Sequence, residues 1–169
     1  MEATFRRMRE KAAGEDRGFT LIELLVVVVI IGVLVAIAVP MYLNYRKGAS
    51  NKSAQSDVRG AVSAIEQFYT ENSNQYPATG DNTAGVGQPL VFGLTATGIK
   101  GTGAGGTLET ANVSDGNTLS YVNNASTSSY VICGFNKDGG TIYVYNSSTG
   151  GSVNKSKETT FALCLSKGD

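Results

Sequence analysis

An unbroken apolar run from Leu24 to Val39 restricts the possible folds of this chain more than any other feature. It holds 16 residues without a polar side chain, and 13 of them are Leu, Ile or Val. Glu23 stands at its entrance, where a carboxylate costs a few kcal/mol in a bilayer. Branched residues at roughly −0.3 to −0.6 kcal/mol each outweigh that cost. We therefore expect the segment to insert into a membrane and Glu23 to need a partner there.

The charges on either side of the run predict its orientation. Residues 1–18 contain five basic and four acidic side chains, and basic residues favour the cytoplasmic side of a membrane. Because Arg46, Lys47 and Lys52 follow the run, this bias is modest. Over the whole chain 14 basic residues balance 14 acidic ones, so no nucleic-acid partner is predicted.

Hydrophobic periodicity predicts that a helix continues beyond Pro40. From Ala54 to Tyr69 the apolar residues recur mostly at steps of three and four, which places them on one helix face. Gly32 and Pro40 lie in the apolar half, and a packed or lipid-embedded helix tolerates both residue types. We expect one helix from residue 19 to about 72, apolar at first and amphipathic afterwards.

Strand patterns dominate the last third of the chain. Runs of β-branched and aromatic residues, separated by turn formers, predict four strands: Thr118–Asn123, Ser129–Phe135, Thr141–Tyr145 and Thr160–Leu165. The second and third of these are expected to form a hairpin. The preceding residues 77–117 are rich in Gly, Thr, Ala and Asn and are predicted to be mostly loop. The predicted fold class is α+β, with the long helix packed on a small antiparallel sheet.

The chain has two cysteines and no histidine. If the part of the chain that follows the apolar run, called the head below, is exported, Cys133 and Cys164 favour a disulfide. The alternative is a pair of buried free thiols. A bridge of that span would stabilise the head by about 3.5–4 kcal/mol in the chain-entropy model. Without histidine the common general base and the usual zinc ligands are missing, and no nucleophile motif is present. We predict no enzymatic activity, no cofactor and no metal site.

Three weaker motifs have simpler explanations. Gly101–Gly106 matches a dinucleotide-binding pattern by its letters, but it neither follows a clear strand nor opens a helix, so a flexible loop is favoured. Asp115–Asn117 and Asp138–Gly140 offer oxygen ligands for calcium without the spacing of an EF-hand, and turns are favoured there. The Asn-x-Ser/Thr triplets follow mostly from the composition, which leaves glycosylation open.

The segment Gly18–Glu23, followed by the apolar run, resembles the class III signal of type IV pilins and pseudopilins. The resemblance is dense over residues 17–45, and in the head it extends to architecture alone. It implies that a membrane-embedded prepilin peptidase cuts after Gly18. It also implies that the new amine of Phe19 is then N-methylated.

The resemblance further implies how such a subunit assembles. Glu23 would meet the Phe19 amine of a neighbouring subunit, because a carboxylate and an ammonium that are each costly in lipid are tolerable together. Pairing of the two groups within one chain, about one helical turn apart, is the open alternative. Gly32 would allow close helix approach or local unwinding, and Pro40 matches the family pattern. An assembly ATPase and a platform membrane protein would drive formation of the homopolymer.

These expectations combine into one domain organisation. Residues 1–18 form a leader, 19–45 a transmembrane and filament-core helix, and 46–169 a head with its loops at 77–117 and its sheet at 118–169. The precursor is expected in the cytoplasmic membrane, crossing it once with its N-terminus inside. After processing, the chain is expected to be the major pilin of an extracellular filament for adhesion, motility or surface attachment.

Two other functions stay open on the sequence alone. One is a pseudopilin of a type II secretion or competence system, which shares the N-terminal signal. The other is a secreted or membrane-tethered β-domain released by ordinary signal peptidase, since Ala36-Ile37-Ala38 resembles its cleavage site. The length of the apolar run and the acid near its start disfavour the second alternative.

Overall fold

The structure is a computed structural model, and it describes residues 18–81, 89–92 and 109–169. Its elements in chain order are α1 (Leu21–Glu71), β1 (Gly80–Asp81), β2 (Leu90–Phe92), β3 (Glu109–Ala111), β4 (Asn117–Asn124), β5 (Ser129–Asn136), β6 (Ile142–Asn146), β7 (Asn154–Lys155) and α2 (Phe161–Lys167). The predicted α+β class is confirmed. The predictions for the leader before Gly18 and for Gly101–Gly106 fall outside the described residues.

Helix α1 runs without interruption through Gly32 and Pro40, close to the predicted limits. Its C-terminal end is closed by Asn72, whose backbone N–H and side-chain Nδ2 both donate to the carbonyl of Phe68 at 2.9 Å. Ser73 and Asn74 then adopt positive φ angles of 55° and 60°, which turn the chain out of the helix. The chain divides into two compact units between Tyr42 and Leu43.

The described strands form two antiparallel sheets. The larger has five strands in the order β1-β4-β5-β6-β7, and the smaller pairs β2 with β3. Strands β4 and β5 pair over their whole length, with Ser120 opposite Cys133. Strands β5 and β6 form the predicted hairpin.

The core of the second unit lies between α1 and the large sheet. Val58, Ile65 and Phe68 are fully buried on one face of the helix, which is the face that the periodicity predicts. The sheet contributes Leu119, Tyr121, Tyr130 and Ile132, at alternating positions on β4 and β5. Burying a side chain of this size contributes roughly 1.5–3 kcal/mol. This contact gives the amphipathic half of α1 its fixed position on the sheet.

Tyrosine rings fill much of that core. Tyr130 contacts Tyr76, Tyr121 and Tyr145 with ring centroids 4.9 to 5.7 Å apart, and its hydroxyl donates to Glu66 at 2.5 Å. The Tyr121 hydroxyl donates to the carbonyl of Pro77 at 3.0 Å. Burial raises the pKa of both Tyr121 and Tyr130, and for Tyr130 the hydrogen bond to Glu66 raises the pKa further. The two phenols are therefore held in their neutral form.

Two predictions about the head need correction. The strand predicted over Thr160–Leu165 is wrong, since this segment lies in and just before α2, with Thr160 as its N-cap and Gly168 as its left-handed C-cap. The sheet predicted for 118–169 therefore ends at Lys155 in β7. Within the segment 77–117, which is predicted to be mostly loop, the described residues also include the short strands β1, β2 and β3.

The predicted disulfide is confirmed. Cys133 in β5 and Cys164 in α2 are bonded, with their Cα atoms 6.3 Å apart and both side chains fully buried. The prediction that both cysteines lie in strands is wrong for Cys164. The bridge ties the terminal helix, rather than a terminal strand, to the sheet.

Candidate functional site

The junction between the leader and the apolar run lies outside the helix. Gly18, Phe19 and Thr20 are non-helical and exposed, and α1 begins at Leu21. The ring of Phe19 is 81% exposed. A Cβ added at Gly18 would meet no atom within 4 Å. The peptide bond after Gly18 is therefore exposed and lies outside the helix.

Thr20 and Glu23 cap the start of α1 reciprocally. Glu23 Oε2 accepts from the backbone N–H of Thr20 and from its hydroxyl, each at 2.8 Å. In return, the backbone N–H of Glu23 donates to Thr20 Oγ1 at 3.3 Å. This is the capping-box arrangement, in which two side chains satisfy N–H groups that the first helical turn leaves free. In this structure the carboxylate thus has partners on its own chain.

This cap was not predicted, although its signal is present in the sequence. A Thr followed three residues later by Glu, just before an apolar run, is the usual pattern of a capping box. The cost of a carboxylate in lipid predicted a partner for Glu23 on another subunit, and a partner three residues away lowers the same cost. The role of Glu23 in assembly stays a prediction, and the cap is an additional function of the same carboxylate.

The apolar half of α1 has no cover in the described chain. Every large apolar side chain from Phe19 to Tyr45 is between 47% and 88% exposed. Among the described residues, α1 is the one helix that is long and apolar enough to cross a membrane, with a mean hydropathy of 3.2 in its most apolar window. Exposure of that much apolar surface to water is unfavourable, so lipid or other protein must surround this segment.

Gly32 and Pro40 are regular members of this helix. A Cβ added at Gly32 would meet no atom within 4 Å, so packing among the described residues does not require a glycine there. Pro40 lacks the N–H that would bond the preceding turn, yet α1 continues through it. Their predicted parts in assembly stay predictions.

The two segments considered for calcium are turns. Asp138 forms a 2.9 Å ion pair with Arg46, and Asn136 Oδ1 accepts from the backbone N–H groups of Asp138 and Gly139. Gly116 has a φ of 79° in the other turn. Within the described ranges no group of three or more acidic, His or Cys side chains is arranged to hold a metal ion.

Comparison with known proteins finds a family and several relatives. The family described as "Prokaryotic N-terminal methylation motif" matches residues 15–39. A type II secretion system core protein G from Pectobacterium carotovorum subsp. carotovorum is 41% identical over 64 residues, which are 38% of this chain and 40% of that protein. A type IV major pilin protein PilE1 from Neisseria gonorrhoeae is 38% identical over 74 residues, which are 44% of each chain.

A third relative is the type IV major pilin protein PilA of Myxococcus xanthus, 39% identical over 56 residues, which are 33% of this chain and 26% of that protein. This chain therefore spans less than half the length of these three relatives. No solved structure matches it significantly.

Proposed function

We propose that this protein is the major pilin of a type IV pilus. The proposal rests on its match to the prokaryotic N-terminal methylation motif and on relatives that include type IV pilins and type II secretion G proteins. It is a structural subunit, and the proposal assigns it no catalysis and no cofactor. The precursor spans the cytoplasmic membrane once with its N-terminus inside. The processed subunit polymerises with identical copies into an extracellular filament.

The uncovered apolar helix is the observation that carries this proposal. Its side chains from Phe19 to Tyr45 need an apolar environment, and the part of the chain that the structure describes supplies none. Lipid provides that environment before assembly, and the same segments of other copies provide it afterwards. Exchange of lipid for helix–helix packing is possible because neither state leaves apolar surface in water.

Processing is proposed to occur after Gly18. A prepilin peptidase would remove residues 1–18 and leave a new amine on Phe19, which is then methylated. The exposed, non-helical junction supports this, since a protease needs an extended and accessible substrate. An ordinary signal peptidase cutting after Ala38 would have to reach a bond in the middle of α1, so the secreted β-domain is less favoured.

Glu23 is proposed to act twice. Before assembly, its Oε2 caps the helix through Thr20, which lowers the cost of holding a carboxylate in lipid. After cleavage, the carboxylate attracts the ammonium of Phe19 on an adjacent subunit, so polymer growth depends on processing. Both hydrogen bonds from Thr20 go to Oε2 of Glu23, so Oε1 is the oxygen proposed for the second contact.

The other proposed partners drive assembly without being part of the filament. An assembly ATPase and a platform membrane protein would extract subunits from the membrane. Gly32 and Pro40 would ease the passage of α1 from lipid into the filament core, since a Gly permits close helix contact and a Pro removes one backbone hydrogen bond of the helix.

One observation supports a second candidate function, that of a pseudopilin. The type II secretion core protein G relative suggests a pseudopilin, in which the same signal builds a short fibre within the cell envelope. Electron microscopy of fibres sheared from intact cells distinguishes the two functions. Long external fibres whose subunit begins with methylated Phe19, by mass spectrometry, support the pilin. A processed subunit that remains in the envelope supports the pseudopilin.

The role of Glu23 has its own test in the same cells. Glu23→Ala should leave the leader cleaved but reduce filament yield strongly, because the Phe19 ammonium loses its partner. Gly18→Leu is the contrasting variant and should leave an unprocessed membrane precursor. Cleavage is read by the mass of the subunit and assembly by the amount of sheared fibre. Normal fibre yield from Glu23→Ala would exclude the pairing, and methylated Phe19 on those fibres would still support a pilin.

A further inference from the structure

The turn between β4 and β5 carries a glycosylation triplet, Asn124-Ala125-Ser126, that is exposed over its whole length. Asn124 is the last residue of β4, and residues 125–128 form the turn. In an Asn-x-Ser/Thr triplet the side-chain amide nitrogen of the Asn receives the glycan, and the hydroxyl two residues later belongs to the recognised pattern. A transferase that acts on the folded head must therefore reach both groups.

Hydrogen bonds hold this triplet in a defined arrangement. The Ser126 hydroxyl donates to Oδ1 of Asn124 at 2.7 Å, and the Thr127 backbone N–H donates to the Asn124 carbonyl at 3.1 Å. Nδ2 of Asn124 donates to no group among the described residues. The nitrogen that would carry a glycan is thus exposed and has no hydrogen bond within the head to lose.

Two of the other four triplets are occupied where the head meets α1. Asn51 lies within the helix, and its Oδ1 accepts from the backbone N–H of Thr141 at 3.1 Å. In the triplet of Asn112, the Ser114 hydroxyl donates to Asp57 at 3.0 Å. A glycan on Asn51 would disrupt the contact with Thr141, and the Ser114 hydroxyl is already bound.

The remaining two triplets are occupied near the C-terminal helix α2. Asn146 donates from its Nδ2 to the carbonyl of Gly168 at 3.1 Å, so its amide nitrogen is in use. In the triplet of Asn154, Ser156 is buried and its hydroxyl donates to the carbonyl of Asp169. Among the described residues, only the triplet of Asn124 combines a free amide nitrogen with a hydroxyl that has no partner outside the triplet.

An open cavity of about 580 Å³ adjoins Asn124. It lies between the ends of β4 and β5 and helix α2, and Val131 and Leu165 form part of its apolar wall. Hydroxyl groups such as those of Ser129 and Ser148 also line it. A sugar ring presents hydroxyl groups around apolar C–H faces, so a saccharide on Asn124 has both room and a matching surface beside the sheet.

We propose that Asn124 is the attachment site of an N-linked glycan. The donor is a saccharide joined through a diphosphate to a membrane lipid. Nδ2 attacks the anomeric carbon of the sugar, and a nitrogen–carbon bond forms as the bond from that carbon to the diphosphate oxygen breaks. The lipid diphosphate leaves with the electron pair, and a base of the transferase takes a proton from Nδ2.

This inference goes beyond the proposed function and shares with it the export of the head. Transfer from such a donor outside the cytoplasm requires the head, but not the filament, to be on that side of the membrane. The bond between Cys133 and Cys164 supports an oxidising compartment, because such bonds rarely persist in the cytosol.

Mass spectrometry of the full chain tests the site. The chain is expressed in cells that contain a type IV assembly machinery, a lipid-linked oligosaccharide and an N-glycan transferase. The peptide that holds Asn124 should carry the saccharide. Asn124→Gln and Ser126→Ala should each abolish the modification, whereas Ser126→Thr keeps the hydroxyl and should preserve it.

Asn154→Gln is the matched control. Asn154 is also exposed, but the hydroxyl of its triplet is buried and bound, so this variant should carry the same saccharide mass as the unaltered chain. Thermal unfolding of each full chain in detergent checks that the head is intact.

Fibres with methylated Phe19 and an unmodified Asn124 would overturn the inference while the pilin assignment stands. Modification that persists in Ser126→Ala, or that is found on Asn154 instead, would also overturn it. A saccharide on Asn124 of a chain that is never cleaved after Gly18 would support the inference and remove the proposed function. If the chain is neither processed nor modified, both fall.

Discussion

Gly134 sets how closely the sheet approaches α1. It lies buried in β5, where a Cβ would clash with Cγ2 of Val58 on the helix and press on Leu119. Its neighbours on the same face of β5 are the large residues Tyr130 and Ile132. The missing side chain therefore makes room for the helix, and no local conformation demands it, since its φ is not in the left-handed region.

We expect Gly134→Ala to destabilise the head by about 1–3 kcal/mol, the usual cost of inserting a methyl group into a packed core. Gly48→Ala is the matched control, because a Cβ there meets nothing and Ala is the better helix former by roughly 1 kcal/mol. Denaturant unfolding of the full chain in detergent measures both changes. Adding Val58→Ala to Gly134→Ala should recover part of the loss. Equal stability of the two Gly→Ala variants would contradict this account of Gly134.

At the scale of elements, periodicity predicted the long segments and failed for the short ones. Helix α1 and the hairpin of β5 and β6 follow from patterns of many residues. Helix α2 has seven residues, too few for a helical period to outweigh the two β-branched threonines before it. Its caps were the better signal, since Thr160 Oγ1 accepts from Leu163 N–H and Gly168 takes a φ of 70°.

The bridge to Cys133 is expected to hold α2 in place. A short helix gains little stability of its own, so removal of the bridge should free it. We expect Cys133→Ala with Cys164→Ala to lower the free energy of unfolding by about 3–4 kcal/mol, given the 31-residue separation. Limited proteolysis of the double variant should release the C-terminal peptide first.

Reduction of the unaltered protein is the control for that variant, since it breaks the bond and keeps both side chains. It should lower the midpoint of unfolding by a similar amount. If the reduced protein and the double variant both unfold at the same denaturant concentration as the oxidised protein, the bridge is not what secures α2.

At the scale of the whole molecule, a local pattern can predict a role for a residue but not its distant contacts. The roles predicted for Gly18 and Glu23 rest on such a local pattern, whereas the network that fixes the loop before β4 was not predicted. There, Asp57 accepts from the backbone and hydroxyl of Ser114 at 2.6 and 3.0 Å and from Asn117 Nδ2 at 2.6 Å, across 57 to 60 residues of sequence. No periodicity carries information about such distant partners.

The buried tyrosines make the stability of the head depend on pH in one direction. In the unfolded chain a tyrosine loses its proton near pH 10, whereas burial keeps the pKa of Tyr121 and Tyr130 well above that value. Below pH 10 both states hold the proton and stability is flat with respect to these groups. Above it the unfolded state binds fewer protons than the folded state, so stability falls as the pH rises.

We therefore expect the free energy of unfolding to decline above pH 10 by at most about 1.4 kcal/mol per pH unit for each of the two rings. Tyr130→Phe should remove about half of that slope, although it also costs the bond to Glu66 and lowers stability at neutral pH. Tyr121→Phe should reduce the slope by a similar amount. Tyrosinate absorbance during unfolding at fixed pH counts the phenols that titrate on unfolding. If the slope above pH 10 were the same in the unaltered protein and in both variants, these tyrosines would not be its cause.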